Sequence, residues 1–188
     1  MAEQNDEFDA LVDTMKRAGA VLRDAGIPHA LGGGLACWAR GGPQTEHDVD
    51  FFVKPADAER AQAVLADAGM QPERPPEDWL LKVHDGDVLI DLIFAPNGGP
   101  IDDAWLRRAE AIEVSAMRLP VATLEDVLVT KLLALSEQEL DYTAVLEVAR
   151  SLREQIDWNE VHTRTDGSPY AAAFFTLLES LGIAAAPG

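Results

Sequence analysis

The stretch from Gly32 to Val53, GGGLACWARGGPQTEHDVDFFV behind Leu31, constrains this chain more than any other. Residues two apart on a strand point to the same side, so Asp48 and Asp50 leave one face of a strand expected over His47 to Val53 while Val49 turns to the other. Two carboxylates on one face repel each other, which is hard to justify unless a cation sits between them. A hard divalent ion such as Mg²⁺ takes oxygen ligands of this kind. Upstream, Gly32 to Gly34 let the backbone approach a ligand closely, and a helix starting near Gly34 would aim its free N–H groups at phosphate oxygens. A tight strand-to-helix turn would use the same glycines; the acid pair downstream favours the phosphate reading.

A third acid stands out. Asp91 lies inside DVLIDLIF, among Val88, Leu89, Ile90, Leu92 and Ile93. A lone carboxylate buried there costs several kcal/mol unless it is paired or metal-bound, so Asp91 needs a partner. Its rivals have local roles: Asp85 and Asp87 border a turn, and Asp102 and Asp103 sit where a helix start favours acids.

Gly33, Gly34, Ala36, Thr45, Asp48, Val49 and Asp50 together resemble the glycine-pair and acid-x-acid signature of the nucleotidyltransferase superfamily of DNA polymerase beta. The run TEHDVD is similar to that of its small aminoglycoside- and lincosamide-modifying members. The resemblance covers residues 31 to 94, and 121 to 141 more loosely. It implies an α+β fold, a small mixed or antiparallel sheet flanked by helices, with residues 1–120 as catalytic domain and 121–188 as a C-terminal helical region packed on it. It also implies a nucleoside triphosphate as co-substrate, a hydroxyl acceptor, release of pyrophosphate, and one or two Mg²⁺ ions held by Asp48, Asp50 and Asp91.

In that scheme Gly33, Gly34, Thr45 and Lys131 contact the nucleotide, Asp91 takes the acceptor's proton, and His47 and Asp141 lie near substrate. Many relatives carry an arginine shortly before the acid pair, where this chain has Gln44, with Arg40 farther back. A toxin-type transferase acting on RNA or protein, and a silent nucleotide-binding module, are the alternatives.

Charge bears on the acceptor. Thirty-three acids against 15 basic residues leave a net charge of −18, which repels phosphate backbones, and the Lys and Arg residues are dispersed. Nucleic acid is therefore disfavoured, and a cationic or neutral small molecule suits the field better, although high acidity also serves solubility. A single cysteine, Cys37, excludes an internal disulfide and reads as a buried small hydrophobe. Neither an apolar signal core nor a run near the roughly 20 residues of a membrane span is present, so a cytoplasmic protein without a membrane partner is expected. No Cys and His cluster supports zinc, and no G-x-x-x-x-G-K motif supports a P-loop.

Along the chain, Phe8, Leu11, Val12, Met15, Ala18 and Leu22 predict a helix from Glu7, stopped at Gly26, and His29 to Leu31 a short strand. Pro55 opens a helix with Ala58, Ala61, Val64, Leu65 and Ala68 inward. Pro72, Pro75 and Pro76 read as a loop near the site. Trp79 to His84 and Asp87 to Phe94 form a hairpin about Asp85 and Gly86. A helix carries Trp105, Leu106 and Ala109, and Glu113 to Leu119 add one last edge strand. Thr123 caps the helix LEDVLVTKLLAL, with Asp126 in the place of the capping-box acid and Leu124, Val127, Leu128, Leu132 and Leu135 inward. Lys131, at the border of that face, either reaches phosphate or lays its stem on the core. Asp141 begins another helix, and closing helices turn Phe174, Leu177, Leu178 and Leu181 inward.

Overall fold

The computed structural model describes residues 2–45 and 48–184. Helix α1 (Ala2–Asp24) buries Phe8, Leu11, Val12, Met15, Ala18 and Leu22, the stripe its 3.6-residue period predicts. Then come β1 (His29–Leu31), α2 (Gly33–Ala39), β2 (Val49–Val53) and α3 (Pro55–Asp67). Three strands follow, β3 (Gln71–Glu73), β4 (Leu80–Asp85) and β5 (Val88–Ile93). After α4 (Asp103–Arg108) the chain forms β6 (Glu110–Val114) and β7 (Met117–Val121). Helices α5 (Leu124–Ala134), α6 (Thr143–Leu152), α7 (Trp158–Arg164) and α8 (Pro169–Ser180) complete it.

The seven strands among the described residues join one sheet in the order β3-β4-β5-β2-β1-β7-β6. The β2/β5 and β1/β7 pairs are parallel and the rest antiparallel, the mixed α+β architecture expected. Its centre is fully buried at Leu31, Phe51, Ile90 and Leu92. Along β2 the sides alternate: Val49, Phe51 and Val53 share one face, and Asp50 and Phe52 the other. Trp105 of α4 packs on Phe52, with ring centroids 4.5 Å apart.

Helix α5 ties the later helices to the sheet, touching α2 on one side and α6, α7 and α8 on others. Thr123 Oγ1 accepts the Asp126 N–H at 3.1 Å, as the capping pattern predicts. The Asp126 side chain does something the cap did not foretell. It is 0% exposed and its carboxylate accepts from Arg108 Nη2 at 2.7 Å, Arg108 Nε at 3.1 Å and Arg164 Nη2 at 2.5 Å. One buried acid thus clamps α4, α5 and α7.

Several local expectations are corrected. The proline-rich link is partly a strand: Gln71–Glu73 pairs with β4 as the sheet edge, where Pro72 is tolerated because an edge leaves backbone positions unpaired. The hairpin turn is formed by Gly86 and Asp87, one residue later than expected, since Asp85 pairs with Val88. Instead of one strand over Glu113 to Leu119 there are two, with β7 inside the sheet. They are joined by a turn whose Ser115 and Ala116 take φ of 46° and 62°, left-handed values that neither residue type advertises. In α3 the buried face includes Gln62, which donates to the Glu73 and Lys82 carbonyls, while Val64 and Ala68 are only partly buried. Leu181 is 46% exposed and Phe175 takes the inward place. Among the described residues no helix is long and apolar enough to cross a membrane.

Candidate functional site

Strands β2 and β5 run parallel with Asp50 directly opposite Asp91. Asp48 precedes β2 on the same side, and one carboxylate oxygen from each of Asp48, Asp50 and Asp91 lies within 4.8 Å of the others. The three acids singled out in the sequence therefore converge. Asp91 is only 7% exposed, and among the described residues its buried Oδ1 accepts no hydrogen bond of ordinary geometry. Lys82 Nζ lies 3.4 Å from that oxygen across the β4/β5 pair. An orphaned oxygen and three converging hard ligands, with no nitrogen or sulfur donor joining them among the described residues, form a set that fits Mg²⁺.

Electrostatics agree with a site built for a cation. Burial first, then the Asp48 charge, pushes the Asp50 carboxyl up to about 8, while Lys131 and Lys82 pull the other way. Burial and Asp48 likewise raise Asp91 to about 6, against Lys82. Without a counter-cation Asp50 holds its proton into the neutral range.

The glycine run is shaped to this cluster. Gly33 has φ +54°, and a Cβ there would stand 1.6 Å from Asp50 Oδ2; a Cβ on Gly34 would stand 2.5 Å from Thr45 Oγ1. The Gly32 N–H donates to the Asp50 carbonyl at 2.8 Å, locking the start of α2 onto β2. Only glycine permits that approach and that backbone conformation.

Two cavities, each of about 420 Å³, meet at Asp50 and Lys131. The first lies between the sheet and α5 and is lined by Phe52, Trp79, Ile93, Asn97 and Val127, with Glu77 and Glu139. The second is lined by Gly34, Gln44, Thr45, Asp48 and Glu147, with Cys37 beside them. Lys131 is the basic side chain bordering both. Burial pushes the Cys37 thiol up to about 11, in keeping with a small hydrophobe.

Other expected residues fall elsewhere. Asp141 is exposed, and its carboxylate accepts the Thr143 N–H at 2.8 Å at the start of α6. His47 lies outside the described residues. Gln44 borders the second cavity, whereas Arg40 spends its guanidinium on the Ala122 carbonyl at 3.0 Å and Glu110 at 2.9 Å. Lys82, Glu77, Trp79 and Glu147 were not foreseen. Lys82 was within reach of sequence reasoning: with Asp85 opposite Val88, the antiparallel register puts Lys82 opposite Asp91. A turn read one residue earlier pairs Asp91 with Leu80 and hides it.

Residues 4–180 match a protein family described as uncharacterised nucleotidyltransferase. No curated protein matches the chain in sequence at a significant level. Among solved structures, the chain is similar to the antibiotic-resistance factor ANT(2″)-Ia in solution, at 17% identity and a TM-score of 0.64, over 93% of this chain and 96% of that one. The crystal structure of ANT(2″)-Ia in complex with adenylyl-2″-tobramycin is matched at 14% identity and a TM-score of 0.63, over 87% and 98%. The lincomycin-bound lincosamide antibiotic adenylyltransferase LnuA is matched at 16% identity and a TM-score of 0.52, over 73% and 92%. At these identities the likeness is one of fold.

Proposed function

The chain belongs to this nucleotidyltransferase family, and we propose that it moves a nucleoside monophosphate from a nucleoside triphosphate to a hydroxyl of a small-molecule acceptor, releasing pyrophosphate. The observation that carries this reading is the convergence of Asp48, Asp50 and Asp91 where two cavities meet, a space for each of two substrates around one charged centre. A small acceptor is supported by the net charge of −18 and by the tobramycin and lincomycin compounds in the similar structures.

Asp48, Asp50 and Asp91 would hold one or two Mg²⁺ ions, which stabilise the attacking and leaving oxygens of an in-line displacement when bound. Gly33 and Gly34 let the start of α2 lie close against Asp50 and Thr45, and with Thr45 they contact the nucleotide. Lys131, shared by both cavities, faces the phosphate charge. Asp91 receives the proton of the acceptor hydroxyl. Residues 1–120 serve as the catalytic domain and 121–188 as a helical region packed on it. In support, β7 ends at Val121 and among the described residues every later element is helical, and α5 brings Lys131 to the border of both cavities. Asp141 acts chiefly as the start of α6.

The test is incubation with Mg²⁺ and each labelled triphosphate, ATP first, with tobramycin, lincomycin or cell-extract acceptors, reading pyrophosphate release. Wild type should exceed Asp48→Ala. Equal release by the two proteins, under conditions where nucleotide binds, would replace the enzyme reading with that of a nucleotide-binding module.

A further inference from the structure

Four charged residues line up in register across four neighbouring strands. Glu73 of β3 is opposite Lys82 of β4, Lys82 is opposite Asp91 of β5, and Asp91 is opposite Asp50 of β2. Directly opposed residues share a face, so the one base of this row stands on the same side as the two acids of the centre. Glu73 is engaged elsewhere, with His84 Nε2 at 2.6 Å. The Lys82 ammonium instead lies 3.4 Å from Asp91 Oδ1, the same oxygen that accepts no hydrogen bond of ordinary geometry among the described residues. It is held near the carboxylate by charge and loosely by geometry, an ion pair that can be opened.

We propose that Lys82 is a built-in counter-ion that occupies the cation position at Asp91 until a metal–nucleotide complex displaces it, so that divalent ion and nucleotide enter together. The inference rests on the metal-site reading above and adds a residue to it. A divalent ion bound to Asp91 at the roughly 2.1 Å of an Mg²⁺–oxygen bond would stand within a few ångström of the ammonium. Two cations that close repel strongly in a partly buried site. An ion arriving alone must meet that repulsion. An ion arriving with a nucleotide brings phosphate oxygens that offset it, and Lys131, on the border of both cavities, adds attraction for the same phosphates. Glu77, which lines the first cavity and whose charge already acts on Asp91, gives the displaced ammonium another acid to face. Without Lys82, three carboxylates would face a lone ion, with Lys131 the remaining lysine whose charge acts on Asp50 among the described residues.

Mn²⁺ serves as the probe, its binding followed by the loss of the free-ion paramagnetic resonance signal, with and without a non-hydrolysable ATP analogue. Lys82→Met should bind Mn²⁺ alone about tenfold more tightly than wild type, a coupling of ordinary size. With the analogue present the two proteins should converge, so that the cooperativity between metal and nucleotide shrinks in the variant. Equal or weaker binding of Mn²⁺ alone by a folded Lys82→Met overturns the Lys82 inference and leaves the metal site standing. Absence of Mn²⁺ uptake by wild type even with the analogue overturns the metal-site reading and the inference with it. Lys82→Gln, which keeps a polar side chain of similar reach, carries the same readout if the methionine variant does not fold.

Discussion

Asp50 and Asp91 face each other in register on the parallel strands β2 and β5, so two acids far apart in the chain share one row of the sheet. Strand pairing holds their backbones at the spacing of adjacent strands, and their repulsion is built into the fold rather than avoided by rotation of a loop. A site preorganised in this way is costly when empty of cations, and its consequences can be measured.

Stability without divalent ions should fall as pH rises. The folded-state carboxyls of Asp50 and Asp91 stand at about 8 and about 6, above their ordinary 3.8, because burial disfavours the charged form. For groups raised in this way, the stabilising contribution is complete below the unfolded value and is lost as pH climbs through the folded values. In EDTA the melting temperature should therefore decline from about pH 4 to about pH 8. Mg²⁺ should restore it most at the upper end, and Asp50→Asn should flatten the decline. A melting temperature that climbs over this range in EDTA would contradict the reading.

Gly33→Ala should disable metal binding. The new methyl would overlap Asp50 Oδ2, and φ is +54°. Left-handed backbone costs an L residue about 1–2 kcal/mol before any clash. The expected outcome is a loss of about 2 kcal/mol or more in denaturant unfolding together with loss of Mn²⁺ uptake. Retained uptake would mean that the strand and glycine loop can separate.

Asp126→Ala should destabilise without touching either cavity's charge. It would strip two part-exposed arginines of a fully buried partner, and losing charge-assisted hydrogen bonds of this kind costs about 1.5–3 kcal/mol. Urea unfolding measures this. A change below about 1 kcal/mol would show that Arg108 and Arg164 find solvent on their own.

Lys131→Met should separate binding from folding. The side chain borders both cavities and keeps an apolar stem in the variant, so the melting temperature should hold while the KM for nucleoside triphosphate rises about tenfold or more. An unchanged KM with a lowered melting temperature would assign the lysine to packing on the core.

Much of the centre was legible in the chain because its signals are local. Period two put Asp48 and Asp50 on one face, an acid inside an apolar run marked Asp91, and the glycines before the acid pair marked a close backbone approach. Thr123 revealed the start of α5, and the α1 stripe was readable residue by residue. Signals failed where backbone conformation departed from residue type. Ser115 and Ala116 turn the chain with left-handed angles that Asn or Gly would normally announce, so nothing in the residues breaks the single strand expected over Glu113 to Leu119. A one-residue error in the β4–β5 turn moved every cross-strand partner and concealed Lys82.

Sequence alone singled out the carboxylates that converge, Asp48, Asp50 and Asp91, since charge, apolar runs and strand period are properties of short segments. Only the tertiary structure decided what surrounds the acid cluster: Lys82 opposite Asp91, Lys131 between two cavities, and Asp126 clamping three helices. Those relationships depend on register and packing between segments distant in the chain, and register is fixed by the summed fit of whole faces, which no single stretch encodes.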